Sequence, residues 1–199
     1  KVLNEKNLEL SIQDMKLSSG NVFQKRALNN FISSLDYTYS KSGFFNYRIE
    51  ETTTIDDMNR VGITINIDEG ENTKIRKFSI LGSKDHEEDE LLNLFDIGEP
   101  DFFLINYWTE KDNYSDIEYS AGKANLKSFF YNKGYLEFEI VKEELIYSDD
   151  KRFIDILLSI NHGPKYTIRS LDFSGDFLNI PKSSLRNLFG LKEGDLFQR

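Results

Sequence analysis

Phe153-Ile154-Asp155-Ile156-Leu157-Leu158-Ser159-Ile160-Asn161-His162-Gly163 is the stretch whose reading decides the fold. Arg60-Val61-Gly62-Ile63-Thr64-Ile65-Asn66-Ile67-Asp68-Glu69-Gly70 repeats it 93 residues earlier. Ile154, Ile156, Leu158 and Ile160 match Val61, Ile63, Ile65 and Ile67, with polar or small residues between most of them. Alternation of period two describes a strand with one buried face and one wetter face. The interval of 93 also separates Ile75 from Ile168 and Gly82 from Gly175. A fixed long period of this kind marks tandem modules.

Working outward, residues 73–163 make one β-α-α-β-β unit. Lys74 to Ile80 reads as its opening strand, closed by the turn Leu81-Gly82-Ser83. The acidic run Asp85, Glu87, Glu88, Asp89 and Glu90 precedes Leu91, Leu92, Leu94 and Phe95. That run lacks the Asx-and-Gly spacing of a calcium loop. Acids gathered at a helix N-terminus, where the macrodipole favours them, account for it. An aromatic connection with Phe102, Phe103, Tyr107 and Trp108 follows, of a kind that more often packs back on a core than forms a patch. Ser115-Asp116-Ile117-Glu118 reads as a capping box, and Gly134 as the stop of the helix it opens. Gly122 inside that helix costs about 1 kcal/mol relative to Ala, a reason to expect a close neighbour there. Tyr135 to Tyr147 reads as the second strand and Ser148 to Lys151 as a hairpin turn.

The flanks repeat parts of this unit. Residues 1–70 hold its back. A leucine-bearing segment over 1–16 suggests a short helix, and Asn21 with Gln24 suggests a capping box. Leu28, Ile32, Leu35 and Tyr39 then share one helical face, and Gly43 ends the helix. Phe44 to Thr54 reads as a strand, with a turn at Asp56 to Asn59. Residues 164–199 hold the front of a third unit, with an opening strand from Ile168 to Gly175. Asn187-Leu188-Phe189 and Glu193, Asp195 and Phe197 follow Asn93-Leu94-Phe95 and Glu99, Asp101 and Phe103 at 94. The expected domains are therefore 1–70, 71–163 and 164–199, in a piece of a longer protein.

Composition narrows the function. With 199 residues, 39% of them hydrophobic, the chain can build packed cores. A net charge of −9 argues against nucleic acid and against adsorption to an anionic membrane. No cysteine is present, so disulfides and thiolate chemistry are excluded. The two histidines, His86 and His162, lack ligand-spaced neighbours, and no nucleophile triad, phosphate loop or HExxH is found. An enzyme, a metal and a cofactor are all unexpected.

What remains is backbone. The first strand reaches the hairpin of the second and third through a helical crossover, so it runs parallel to the third. The third is then central and the second lies at an edge. In Tyr135, Leu136, Glu137, Phe138, Glu139 and Ile140, glutamates alternate with apolar residues. Two readings stand side by side: an edge guarded by charge, or a template on which an extended peptide adds a strand.

The order of these motifs resembles the POTRA domains of outer-membrane assembly factors of the BamA family. It is carried by Ile75 to Gly82 and Ile168 to Gly175, by Asn-Leu-Phe followed by Glu-x-Asp-x-Phe, by Phe129-Phe130-Tyr131-Asn132-Lys133-Gly134-Tyr135, and by the strand ends Asp68-Glu69-Gly70 and Asn161-His162-Gly163. The chain departs from the family where Ser83 and Asp176 follow the turn glycines and His162 replaces Glu. The resemblance implies an α+β fold of tandem modules, each a three-stranded mixed sheet covered by two helices. It implies a place at the periplasmic face of a Gram-negative outer membrane, with a β-barrel C-terminal to Arg199 and no membrane contact by this segment. The implied partners are unfolded outer-membrane β-barrel precursors and accessory assembly lipoproteins, partly bound by strand addition at Tyr135 to Ile140, with Phe45 to Glu50 as a weaker counterpart. A proline at Phe138 is expected to abolish that binding and spare the fold. A TamA-like or two-partner-secretion transporter, or a purely architectural arm, are the alternatives.

Overall fold

The structure is a computed structural model that describes residues 3, 5–83, 86–99, 111–175, 181, 184, 190 and 192–196. Its elements are α1 (Glu5–Asp14), α2 (Lys25–Lys41), β1 (Arg48–Ile55), β2 (Val61–Asp68), β3 (Lys74–Leu81), α3 (Glu88–Leu92), α4 (Asp116–Asn132), β4 (Glu139–Tyr147) and β5 (Phe153–Asn161). β1 and β2 form one sheet, and β3, β5 and β4 form a second in that order. The chain divides into two compact units, Lys1–Phe78 with Asp96–Ser120 and Leu145–Ile156, and Ser79–Phe95 with Ala121–Glu144 and Leu157–Arg199. The aromatic connection with Phe102, Phe103, Tyr107 and Trp108 lies outside the described residues.

In the first unit, α2 buries Leu28, Phe31, Leu35 and Tyr39. These residues sit at i, i+3, i+7 and i+11, one apolar stripe. Phe31, rather than Ile32, completes the stripe, because Ile32 is only half-buried. Leu8 and Ile12 of α1, Ile49 of β1, and Ile65 and Ile67 of β2 pack against it. The helix starts later than the capping box predicts. Gln24 is its N-cap, while Asn21 instead hydrogen-bonds Ser18 through its side chain. β1 pairs antiparallel with β2 from Arg48↔Asp68 to Ile55↔Val61. The turn between them is held by Asp56, whose Oδ1 accepts the Met58 and Arg60 amides at 3.0 and 2.9 Å. Tyr39 donates to Glu69 Oε1 at 3.0 Å, and burial together with that carboxylate pushes its hydroxyl up to about 12.

Thr73, fully buried, joins this part of the chain to the strand–turn end of the central module. Its N–H donates to Gly43 O (2.9 Å), its hydroxyl to Lys151 O (2.6 Å), and its carbonyl accepts from Tyr114 N–H (2.8 Å). Every polar atom of Thr73 is satisfied, as burial demands. Gly43 sits at φ +81°, and a Cβ there would lie 1.9 Å from Tyr114 O.

The three-stranded sheet is mixed, as the crossover requires. Lys74 N–H donates to Arg152 O and Arg76 reaches Asp155, so β3 and β5 start together and run the same way. Ser148 pairs with Phe153 and Asn161 with Glu139 across the β4–β5 hairpin, which is antiparallel. β5 buries Ile154, Ile156, Leu158 and Ile160, the residues the repeat aligns. In β3, Ile75, Phe78 and Ile80 are buried while Arg76 and Lys77 are both exposed. Two consecutive outward residues mean that one extra residue has entered the strand, a bulge.

The predicted opening strand at Ile168 to Gly175 is not formed. Among the described residues of that stretch only Thr167 makes a bridge nearby, to Leu196. β3 is a strand because β5 pairs with it, and among the described residues of 164–199 no strand lies beside this stretch.

In the second unit, Gly122 does admit a close neighbour. A Cβ there would lie 2.0 Å from the Phe95 ring. Gly122→Ala is therefore expected to lose about 1–2 kcal/mol in urea denaturation, overpacking outweighing the gain in helix propensity. Pairing it with Phe95→Leu should recover most of the loss. A second expectation concerns pH. The Arg76 guanidinium holds the Asp155 carboxyl below its ordinary value. A depressed carboxylate stabilises above its unfolded pKa, and that contribution disappears as pH falls through the lower folded value. Arg76→Gln should thus lower the urea midpoint at pH 7, by an amount that shrinks progressively as pH falls below the ordinary aspartate range.

Candidate strand-addition edge

The candidate site begins at the end of α4. Ser115 Oγ accepts the Glu118 amide at 3.3 Å and starts the helix as the capping box predicts. Gly134, at φ +86°, stops it, with the Tyr135 amide bonded back to Phe130 O. The left-handed residue turns the chain sharply, so it does not enter a strand at once. Phe138 N–H closes a further turn onto Tyr135 O, and the strand starts only at Glu139.

This divides the predicted edge. Tyr135 and Phe138 are core residues, 1% and 6% exposed. Phe138 stacks on Phe130 with centroids 4.6 Å apart, and Tyr135 meets His162 at 4.7 Å. Leu136 is half-buried and Glu137 exposed, its carboxylate taken by the Tyr166 hydroxyl. Only Glu139 and Ile140 belong to β4. The alternation of Glu and apolar residues mimics a strand, but the apolar members at 135 and 138 fill the space beside Phe130. In the first unit, likewise, Phe45 lies against Tyr147 and Tyr114, at 5.1 and 6.2 Å, and only Arg48 to Glu50 of the weaker counterpart lie in β1.

The edge itself is where the crossover argument places it, moved toward the C-terminus. β4 ends the sheet and runs from Glu139 to Tyr147. Val141 and Ile146 are more than half exposed along it. Beside its first half, Lys123, Ala124 and Lys127 of α4 face Phe138, Glu139, Ile140 and Glu143 across an open groove of about 450 Å³. Lys123 Nζ meets both Glu143 oxygens at 3.0 Å. Among the described residues β4 pairs on one side only, and the groove beside it has an apolar floor and an α4 wall bearing Lys123 and Lys127 opposite Glu139 and Glu143. Sequence reasoning missed that wall. Lys123 and Lys127 on either side of Ala124, four apart on one helix face, were the available signal.

The acids before α3 have individual tasks. Glu90 pairs with Lys133 at 3.1 Å and with His86 Nδ1 at 2.9 Å, and Lys133 first, then His86, draws its carboxyl down. Among the described residues no group of three or more His, Asp or Glu is placed to hold a metal. Asp85 lies outside them. Both histidines are packed against rings, His86 on Phe129 and His162 on Phe130. Among the described residues no helix is long and apolar enough to cross a membrane.

A three-stranded mixed sheet with its helices, preceded by a helix and a two-stranded sheet in matching order, defines a class of tandem α+β module. The sequence model of the POTRA family, described as a surface antigen variable number repeat, matches residues 3–70 and 73–163, and the chain belongs to that family. It is 23% identical over 199 residues to the outer membrane protein assembly factor BamA of Neisseria meningitidis serogroup B, covering 100% of this chain and 25% of that protein. It is 26% identical over 197 residues to BamA of Buchnera aphidicola, covering 95% and 31%. The chain thus spans about a quarter to a third of the length of these relatives. Among solved structures it resembles POTRA3-5 of Haemophilus influenzae BamA, with a TM-score of 0.51 and 19% identity over 98% of this chain and 75% of that one.

The corrected position of Phe138 changes what its substitution should do. Phe138→Ala is expected to cost about 3–5 kcal/mol in denaturant unfolding. Phe138→Pro should unfold the module instead of sparing it, read as loss of the far-ultraviolet circular dichroism.

Proposed function

We propose that this chain is a periplasmic segment of an outer-membrane assembly factor of the BamA kind, and that β4 receives strands of unfolded β-barrel precursors. The observation that carries this reading is an edge strand from Glu139 to Tyr147 beside a groove floored by Phe138 and Ile140. Strand addition draws its affinity from main-chain bonds and its selectivity from side pockets. Such an edge accepts many sequences that share only an alternating pattern, which is what barrel strands share. Accessory lipoproteins are the second class of partner, and the modules are divided at 70/71 and 163/164. The relatives' names support assembly at the outer membrane, and a barrel following the segment would fit the fraction of their length it covers.

A second reading treats the modules as an architectural arm, in this or a TamA-like or two-partner-secretion protein. The buried junction at Thr73 favours it, because three hydrogen bonds through one residue suit a fixed joint. Titration of the ¹⁵N-labelled chain with synthetic peptides of alternating aromatic and polar residues separates the two. Shifts confined to residues 139–147 with Lys123 and Lys127 are expected, and no shift at millimolar peptide would leave the arm alone standing.

Proline gives a sharper test. N–H groups of adjacent strand residues point to opposite sides. One of Val141→Pro and Lys142→Pro therefore removes an outward donor and the other a ladder donor. The first should keep its unfolding midpoint and bind peptide at least about tenfold more weakly. The second should lose on the order of 3 kcal/mol of stability.

A further inference from the structure

The sheet has two edges, and the structure treats them differently. At β3, the Ile75 amide donates to Asp112 O at 2.7 Å, the Phe78 amide to Glu99 Oε1 at 2.7 Å, and the Ile80 amide to Glu88 Oε1 at 2.9 Å. None of these acceptors belongs to β5. The bulge at Arg76 and Lys77 explains why residues 75, 78 and 80 point the same way. Lys74, one residue before, sends its amide to Arg152 at the start of β5. Each of these outward donors of β3 is occupied, two of them by carboxylates, which form the stronger class of hydrogen bond. Along β4, among the described residues, no carboxylate or loop carbonyl takes an amide of residues 139–147.

The geometry points to a lock: Glu88, Glu99 and the Asp112 carbonyl close the β3 edge against strand addition and leave β4 as the edge that, among the described residues, stays open to an incoming chain. An arriving strand would have to displace two charge-assisted bonds at β3 before forming any of its own. Edge strands are commonly blunted by charge pointing into solvent. Here the charge is turned onto the backbone itself, so the donors are consumed and not merely surrounded.

The repeat supports the assignment. Glu99 belongs to the Glu-x-Asp-x-Phe motif that recurs at Glu193, Asp195 and Phe197. In the third segment the Ile168 amide donates to Asp195 O at 2.9 Å, as Ile75 does to Asp112 O. Thr167 bridges Leu196 as Lys74 bridges Asn113. Glu99 of the motif thus accepts from Phe78 and Asp195 of the motif from Ile168, so the motif brings an acceptor to the opening segment twice. In the third segment it does so where β3's equivalent has formed no strand. Glu88 has no acidic counterpart there, since residues 181 and 182 are Pro181 and Lys182.

This inference goes beyond the proposed peptide site and does not need it to be correct, because the two are read at different amides. The test is Glu88→Ala/Glu99→Ala in the ¹⁵N-labelled chain 1–199. Hydrogen exchange and titration with a synthetic peptide of the sequence of residues 153–161 are the measurements. With native circular dichroism, exchange at Phe78 and Ile80 should rise at least about tenfold, the loss of one charge-assisted bond at each. The peptide should then shift residues 78–80, which it leaves unmoved in the wild type. Unchanged exchange at both amides, shifts at 78–80 in the wild type, or none in the double variant would each overturn the lock. If the alanine variant does not fold, Glu88→Gln/Glu99→Gln decides. It keeps an acceptor oxygen without the charge, so exchange at both amides should still rise severalfold, and unchanged rates would refute the role of the carboxylates.

Discussion

Everything in the central module depends on β5 being paired on both sides. A strand flanked by two others must bury one face continuously, and the run from Ile154 to Ile160 does so at every second residue. Burying four such side chains contributes on the order of 1.5–3 kcal/mol each, the largest single block of apolar burial the sheet offers. β3 can reach β5 in parallel only through a crossover, and α3 and α4 lie in that crossover. β4, joined by a short hairpin, takes the remaining side of β5. The helices, the turn at Ser148 to Arg152 and the position of the open edge all follow from that one pairing.

The sheet is asymmetric at its two outer strands. A three-stranded sheet has two outer strands, and both would invite unwanted pairing if left alike. The chain after β3 folds back to place carbonyl and carboxylate acceptors on its donors, whereas among the described residues no such acceptor meets an amide of β4. Instead, α4 lays Lys123 and Lys127 alongside β4 and leaves a groove between them. Strand addition with broad sequence tolerance and protection from indiscriminate association are opposed demands. The proposed division between the two outer strands satisfies both.

The two helix-ending glycines play matching parts. The carbonyl of Gly43, the residue that ends α2, accepts the Thr73 amide, and the carbonyl of Gly134, which ends α4, accepts the Tyr166 amide. The same left-handed glycine both stops a helix and turns a carbonyl toward the next segment. Thr73 adds a hydroxyl bond to Lys151 O, and Lys41 reaches Asp116 at 2.6 Å. Tyr166 spends its hydroxyl on Glu137 instead.

The repeat of 93 residues was legible because buried strands and left-handed turns impose local rules: alternation of period two, and glycine where a Cβ is strained. Those rules placed β2, β3, β5, α4, Gly43 and Gly134, and hence the module order and the central strand. They failed where a side chain's partner is distant in sequence. Nothing local distinguishes Phe138 in a strand from Phe138 in a turn, because stacking on Phe130 decides it. Nor does Ile168 to Gly175 differ visibly from β3, since a strand exists only when another chain segment supplies its hydrogen bonds. The acids before α3 read as helix-end charges, and only the folded chain turns Glu88 onto the Ile80 amide. The sequence by itself thus determined the order of helices and strands in the central module and which strand is central. The tertiary structure alone decided where β4 begins and which acceptors meet the β3 amides, because those bonds depend on every segment that comes near a strand.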